Sequence, residues 1–185
     1  MRVRLPPGPS AGRVLIRAAI SFHRAGLDRM AEVAPPHTGE AWEAVLRFLS
    51  QRSTLTMATA DESGRPYAAS LYFVHDERLR LYFLSSPESR HVRHLTARPE
   101  VAVTIHGEPW DWKTIQGLQL TGIADPVEDP EERERVMIRY RAKFPFIQEL
   151  PQALAHARLY RVTPRWVRWI DNTRGFGYRV EWRLE

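Results

Sequence analysis

Hydrophobic positions along the chain switch from a helical period to an alternating one at Ser53. Before that point Trp42, Val45, Leu46 and Leu49 recur at i, i+3, i+4 and i+7, which predicts one amphipathic helix. Thr38 is its expected N-cap, and Gln51 lies near its end. After Ser53 the apolar residues alternate in short runs, the signature of half-buried strands. Strands are predicted near residues 53–60, 66–74 and 79–84, with DESGRP and HDER as the intervening turns. A short helix over 89–97 follows, limited by Pro99. Strands over 100–105 and 115–126 come next, with the aromatic-rich connection HGEPWDWKT between them. Residues 131–141 read as a charged helix carrying Val136, Ile138 and Tyr140. KFPFIQELPQAL reads as a segment broken by Pro145 and Pro151. Residues 157–162 and 167–170 read as two strands or one bent strand, and YRVEWRL as a terminal strand. At least six short strands with few helices predict a mainly β (α+β) fold, an antiparallel barrel with peripheral helices.

The first 37 residues do not share this pattern. RLPPGPSAG and APPHTG are Pro/Gly-rich, and VLIRAAISFHRAGLDRM between them has the spacing of a basic amphipathic helix. It reads as a mobile leader, a targeting or membrane-surface segment, or a non-native extension with translation beginning at Met30. The expected organisation is therefore a leader over 1–37 and one domain over 38–185.

Charge sharpens this division. The chain of 185 residues has a formal charge of +5, and residues 1–29 hold six arginines against Asp28 alone. The rest of the chain is balanced, which gives no concentrated basic footprint for nucleic acid. Absence of cysteine excludes disulfides, thiolate metal sites and Cys nucleophiles, and fits a cytoplasmic protein. No apolar run reaches membrane-spanning length. HExxH, Walker and GxSxG motifs are missing, and no spacing among the seven histidines completes a metal site around His91 and His94.

The chemistry concentrates in LYFLSSPESRHVRHLTARPEVAVTI. Ser85, Ser86, Ser89 and Arg90 cluster where a strand ends and a helix begins, with His91 next. Free N–H groups at such a start favour an anion, and arginine matches a phosphate fork. An ordinary serine cap followed by a surface arginine has the same sequence. Trp110 and Trp112 alternate around Asp111, as a wall over a flat ligand, a subunit contact or barrel-end closure.

LTMATADESGRPYAASLYFV, followed by that segment, resembles the opening strands of the pyridoxamine 5'-phosphate oxidase-like, flavin-binding split-barrel superfamily. The tail DNTRGFG looks like that of a small bacterial branch. The resemblance implies a six-stranded antiparallel split β-barrel and a homodimer with two flavin mononucleotide (FMN) sites at its interface. The family's Ser-Arg-Lys phosphate element maps onto Ser89, Arg90 and His91, and its preceding hydroxyl onto Ser85. Ser70, Tyr72, Gln116 and Gln119 are implied partners for the flavin ring or ribityl chain. Two basic residues of the family's second strand fall on Ala69 and Val74, so both charges are missing. A neutral histidine replaces the lysine at His91. The expectation is an FMN-binding protein, with a flavin-dependent oxidoreductase activity or a non-enzymatic role with a degenerate site left open. Another phosphorylated ligand and a deazaflavin also remain open, and no catalytic residue is assigned.

Overall fold

The computed structural model describes residues 32–33 and 38–184. The expected basic helix of the leader lies outside the described residues, which include residues 32–33 of that leader.

Helix α1 (Glu40–Ser50) buries Trp42, Val45, Phe48 and Leu49. Phe48 joins the expected stripe, while Leu46 is only partly buried. Its N-cap is Gly39, at φ 92°, rather than Thr38, and no side chain caps it. A left-handed residue there favours glycine, which explains why the hydroxyl one position earlier is passed over.

The described residues form nine strands rather than six: β1 (Glu32–Val33), β2 (Thr54–Ala60), β3 (Pro66–Tyr72), β4 (Val74–His75), β5 (Leu81–Ser85), β6 (Glu100–His106), β7 (Gln116–Pro126), β8 (Arg158–Asp171) and β9 (Arg179–Arg183). The split at Phe73 and the short β1 raise the count above the seven segments read from the sequence with 157–170 as one strand. The strand expected over 66–74 is interrupted at Phe73, so that β3 pairs with β2 while β4 pairs with β5. The terminal strand pairs as β9, and the two-residue β1 runs parallel to it. The stretch near 157–170, read as two strands or one bent strand, forms a single strand of 14 residues.

That long strand curls the sheet. One edge of β8 pairs with β7 from Tyr160 to Asp171. Its other edge is divided: residues 158–162 pair with β5 and residues 166–170 with β9. The ladder shifts register at Thr121/Gly122, where an added Cβ at Gly122 would run into the Thr163 carbonyl. A bulge there adds local twist and bends the strand. The result is an α+β fold: a curled antiparallel sheet, parallel only at β1, with helices at its periphery. Among the described residues no helix is long and apolar enough to cross a membrane.

The two hairpins share one device. The Asp61 carboxylate accepts the N–H groups of Ser63 and Arg65 and the Arg65 Nε–H at 2.9 Å. Asp76 does the same for Arg78, Arg80 and the Arg80 Nε–H at 2.6 Å. Gly64 takes the positive φ in the first turn, and Leu79 takes it, at 58°, in the second.

Two apolar clusters hold the sheet. The larger lies between α1 and the inner sheet face, with Trp42 edge-on to Trp182 at 5.3 Å. The smaller lies outside β4 and β5, under helix α3 (Pro130–Lys143), and contains Val74, Tyr82, Tyr140, Phe144 and Ile147. The outer face of β3, β2, β6 and β7 carries no such cover from the described helices. Two of its register rows read Ser70–Thr56–Thr104–Gln119 and Ala68–Ala58–Ala102–Thr121, all uncharged.

Candidate functional site

Strand β5 ends at Ser85, and helix α2 (Arg90–Ala97) begins five residues later. Ser89 is the N-cap, yet its side chain makes no capping bond. Its hydroxyl shares a hydrogen bond with the Ser85 hydroxyl at 3.0 Å and lies 3.2 Å from His91 Nε2. Ser85 Oγ lies 2.8 Å from the same nitrogen. Two hydroxyls and an imidazole therefore converge on one point. Arg90 stacks its guanidinium 5.0 Å from the Tyr67 ring centroid and makes no ion pair among the described residues. The turn thus offers hydroxyl, imidazole and guanidinium groups with no carboxylate competing for the arginine.

Burial pushes the His91 imidazole below its ordinary value, and the neighbouring His94 pushes it the same way. The folded state therefore holds His91 neutral. As pH falls through the ordinary histidine range near 6.5, the unfolded chain takes up a proton first and stability drops. Urea unfolding between pH 7.5 and 5.5 should show a shallower loss for His91→Gln than for the wild type. Identical slopes would place the acid sensitivity elsewhere, His75 being the other histidine whose pKa burial lowers.

A cleft of about 430 Å³ opens beside the turn. Ser70 and Tyr72 of β3, Ser85 of β5 and Ser86 just after it form one side. Tyr140 of α3 and the segment that follows it form the other. That segment comprises a 3-10 turn (Pro145–Glu149) and helix α4 (Pro151–His156). Tyr140 donates its hydroxyl hydrogen to the Tyr72 carbonyl at 2.8 Å, which ties α3 to β3 at the mouth. Reading the sequence did not find this wall. Its only local signal is the run Phe144, Phe146, Ile147, Leu150 and Leu154, which the two prolines made look like a mere break.

The structure brings Ser70, Tyr72, Ser85, Ser86, Ser89, Arg90 and His91 to one region. It does not bring Gln116, Gln119, Trp110 or Trp112 there within one chain. Gln119 shares a register row with Ser70 but sits three strands away, roughly 14 Å by sheet spacing. Gln116 donates to Asp171 at 3.1 Å and lines a separate polar cleft with Glu40, Arg47 and Arg174. Trp112 is half exposed and packs edge-on against Phe176 at 5.4 Å, while Trp110 is fully exposed. The tail motif organises this aromatic loop. Asn172 donates to the Trp112 carbonyl at 2.8 Å and accepts the Gly177 N–H at 3.1 Å.

Both positions aligned with a missing cation carry apolar side chains; next to Val74, the Lys143 Nζ lies 4.4 Å from the Phe73 ring centroid. Ala69 is half-buried on β3, and Val74 is buried in the smaller apolar cluster. Among the described residues no group of three or more His, Cys, Asp or Glu side chains is placed to hold a metal ion.

The family profile described as pyridoxamine 5'-phosphate oxidase matches residues 41–171. A UPF0306 protein of Klebsiella pneumoniae is 30% identical over 143 residues, covering 77% of this chain and 92% of that protein. Among solved structures, HutZ, the heme storage protein from Vibrio cholerae, is 25% identical and superposes with a TM-score of 0.57. The match covers 66% of this chain and 88% of HutZ. The conserved hypothetical protein Rv2991 from Mycobacterium tuberculosis shares the fold at a TM-score of 0.63. It is 19% identical, with 78% of this chain and 91% of that one covered.

Proposed function

The chain belongs to the pyridoxamine 5'-phosphate oxidase family, and from that premise we propose that it binds flavin mononucleotide in a homodimer and acts as a flavin-dependent oxidoreductase. The observation that carries the reading is the donor set at the Ser85–His91 turn. Ser85, Ser89 and His91 converge within 3.2 Å of one another beside an arginine with no acidic partner among the described residues. Such a set fits a phosphate ester. Arg90 would supply the charge, the two hydroxyls and the backbone at the start of α2 the orientation. Ser70 lines the cleft together with Ser85, in place for a ribityl hydroxyl. The bound flavin would supply the redox chemistry. The chain's part is to hold the phosphate, fix the ring's approach and keep one side of the site dry.

The dimer reading has its own support. The outer rows Ser70–Thr56–Thr104–Gln119 and Ala68–Ala58–Ala102–Thr121 present small or uncharged side chains, so covering these two rows removes no charge from water; Glu100, at the start of β6, is the charged residue on that face of β6. Gln116, Gln119, Trp110 and Trp112, remote from the turn within one chain, would then approach the ligand from a second copy.

A second reading, a split-barrel binding protein without flavin turnover, is favoured by Ala69 and Val74, which leave the turn one cation. The likeness to HutZ raises heme as a ligand. The turn's donors suit a phosphate, a group heme does not carry, so flavin is preferred.

The visible spectrum of freshly purified protein, followed by titration with FMN, tests the proposal. Saturable binding in the micromolar range and a light-scattering mass near twice the chain's 21.5 kDa are expected. A colourless protein with no saturable binding overturns the flavin assignment, and a mass near 21.5 kDa overturns the dimer.

A further inference from the structure

We propose that the cleft beside the Ser85–Ser86 turn binds a neutral, planar aromatic molecule, the second ligand of the flavin site. Its role in a reaction rests on the flavin reading, but its evidence does not. Charge comes first. No Asp, Glu, Lys or Arg lines the cleft. A carboxylate or phosphate inside would have no counter-ion and would lose its hydration without compensation. The phosphorylated amine that gives the family its name is therefore a poor fit to this wall.

Exposure comes next. Tyr72, Phe146 and Leu150 are 49%, 38% and 49% exposed, and all three face the cleft. Apolar surface gathered in one concavity is what a ligand covers, at roughly 25 cal/mol for each Å² removed from water. The wall selects a ring. Tyr72 and Phe146 meet at 5.3 Å between centroids on the cleft surface, backed by buried Phe144, 5.2 Å from Tyr72, and Tyr140, 5.1 Å from Phe144. Their faces and edges suit a flat partner. The Tyr140 hydroxyl is already committed to the Tyr72 carbonyl. With Ser85 assigned to the phosphate and Ser70 to the ribityl chain, polar recognition is left to the Ser86 hydroxyl, which accepts the Glu88 N–H at 3.2 Å and keeps its own hydrogen to donate, and this fits a ring with a carbonyl or similar acceptor. The volume, about 430 Å³, lies in the range of small-molecule sites.

Menadione, a neutral naphthoquinone, and 1,4-naphthoquinone-2-sulfonate, the same ring system carrying a charge, make the test. The chain has no cysteine for a quinone to alkylate. Each probe is titrated calorimetrically into the full chain, with and without FMN. Menadione should saturate, and the sulfonate should bind at least about tenfold more weakly. Leu150→Asp, a change on an exposed position, should lower menadione affinity by about tenfold or more while FMN affinity holds. Equal affinity for the two probes, no saturation by menadione, or displacement of FMN by menadione would each overturn the proposal. Saturable menadione binding by a chain that takes up no FMN supports the cleft and removes the flavin reading alone.

Discussion

On the proposed flavin reading, Arg90→Ala should weaken FMN binding by about ten- to a hundredfold and leave riboflavin binding unchanged. The expectation comes from counting cations at the turn. Ala69 and Val74 occupy the positions where the family resemblance places two further basic residues, and His91 is held neutral by burial. Arg90 is then the full positive charge at the Ser85–Ser89 turn, and its removal takes away a charge-assisted hydrogen bond. Such bonds contribute about 1.5–3 kcal/mol, which is the stated factor in affinity. The side chain is exposed and stacks on Tyr67, so its loss should not disturb the fold. Ser89→Ala should cost less, because water can stand in for one neutral hydroxyl. Riboflavin lacks the phosphate and isolates the effect. Equal losses for both ligands would mean that Arg90 shapes the site through Tyr67. Unchanged affinity for both would move the phosphate elsewhere.

Local signals in the sequence carried the elements and the turn. Alternation located the long strands because each buries one face. The Ser85–His91 cluster was visible because its members lie within seven residues, and a strand end followed by a helix start leaves little freedom in where they point. What the sequence hid depends on pairing between distant segments. Nothing local in LYF says that the chain changes partners at Phe73, from β2 to β5. That change follows from β8 being long enough to serve β5 and β9 along one edge. Together with the two-residue β1, that change takes the strand count to nine. The same holds at the site. Gln116, Gln119 and the two tryptophans sit on strands and loops that look adjacent in a list of candidates but are separated across the sheet. The aromatic wall from Phe144 to Leu154 was passed over because prolines at 145 and 151 signal breaks, and a broken segment is a poor advertisement for a binding surface. Asp129, by contrast, caps α3 with its carboxylate on the Glu131 N–H at 3.0 Å, and Pro130 follows at N1, a legible start that places Tyr140 at the cleft.

The most hidden feature supports the second large prediction: Glu132→Ala should destabilise the protein by about 2–4 kcal/mol. Glu132 projects from the first turn of α3 and is 7% exposed. It accepts the Tyr82 hydroxyl hydrogen at 2.8 Å and an Arg161 N–H at 2.8 Å, and it pairs with Arg80 at 3.3 Å. Arg80 also holds Asp76 in the second hairpin, and Arg161 holds Asp125 on β7. One carboxylate therefore ties α3 to β5, β8 and a hairpin, through partners 50 and 29 residues away. Removing one member of a buried ion pair costs about 3–5 kcal/mol, because the charges left behind have lost both water and partner. Arg80 and Arg161 are about a quarter exposed, so water relieves part of that penalty, and the lower range follows. The pH dependence gives a separate reading. Burial pushes the Glu132 carboxyl up, but the Tyr82 and Arg161 hydrogen bonds and the two arginine charges outweigh it and leave it below the usual range. Its contribution is therefore complete above about pH 4.3, the ordinary glutamate value, and is lost as pH falls through the depressed value. Glu132→Gln keeps the shape and an acceptor oxygen but removes the charge. It should lose less stability than Glu132→Ala at pH 7, and its acid limb should be flatter than that of the wild type. Urea unfolding of the three proteins at pH 7 and across the acid range decides the matter. A loss below about 1 kcal/mol for Glu132→Ala would show that water replaces the carboxylate freely, and that α3 is held over the cleft by its apolar face alone.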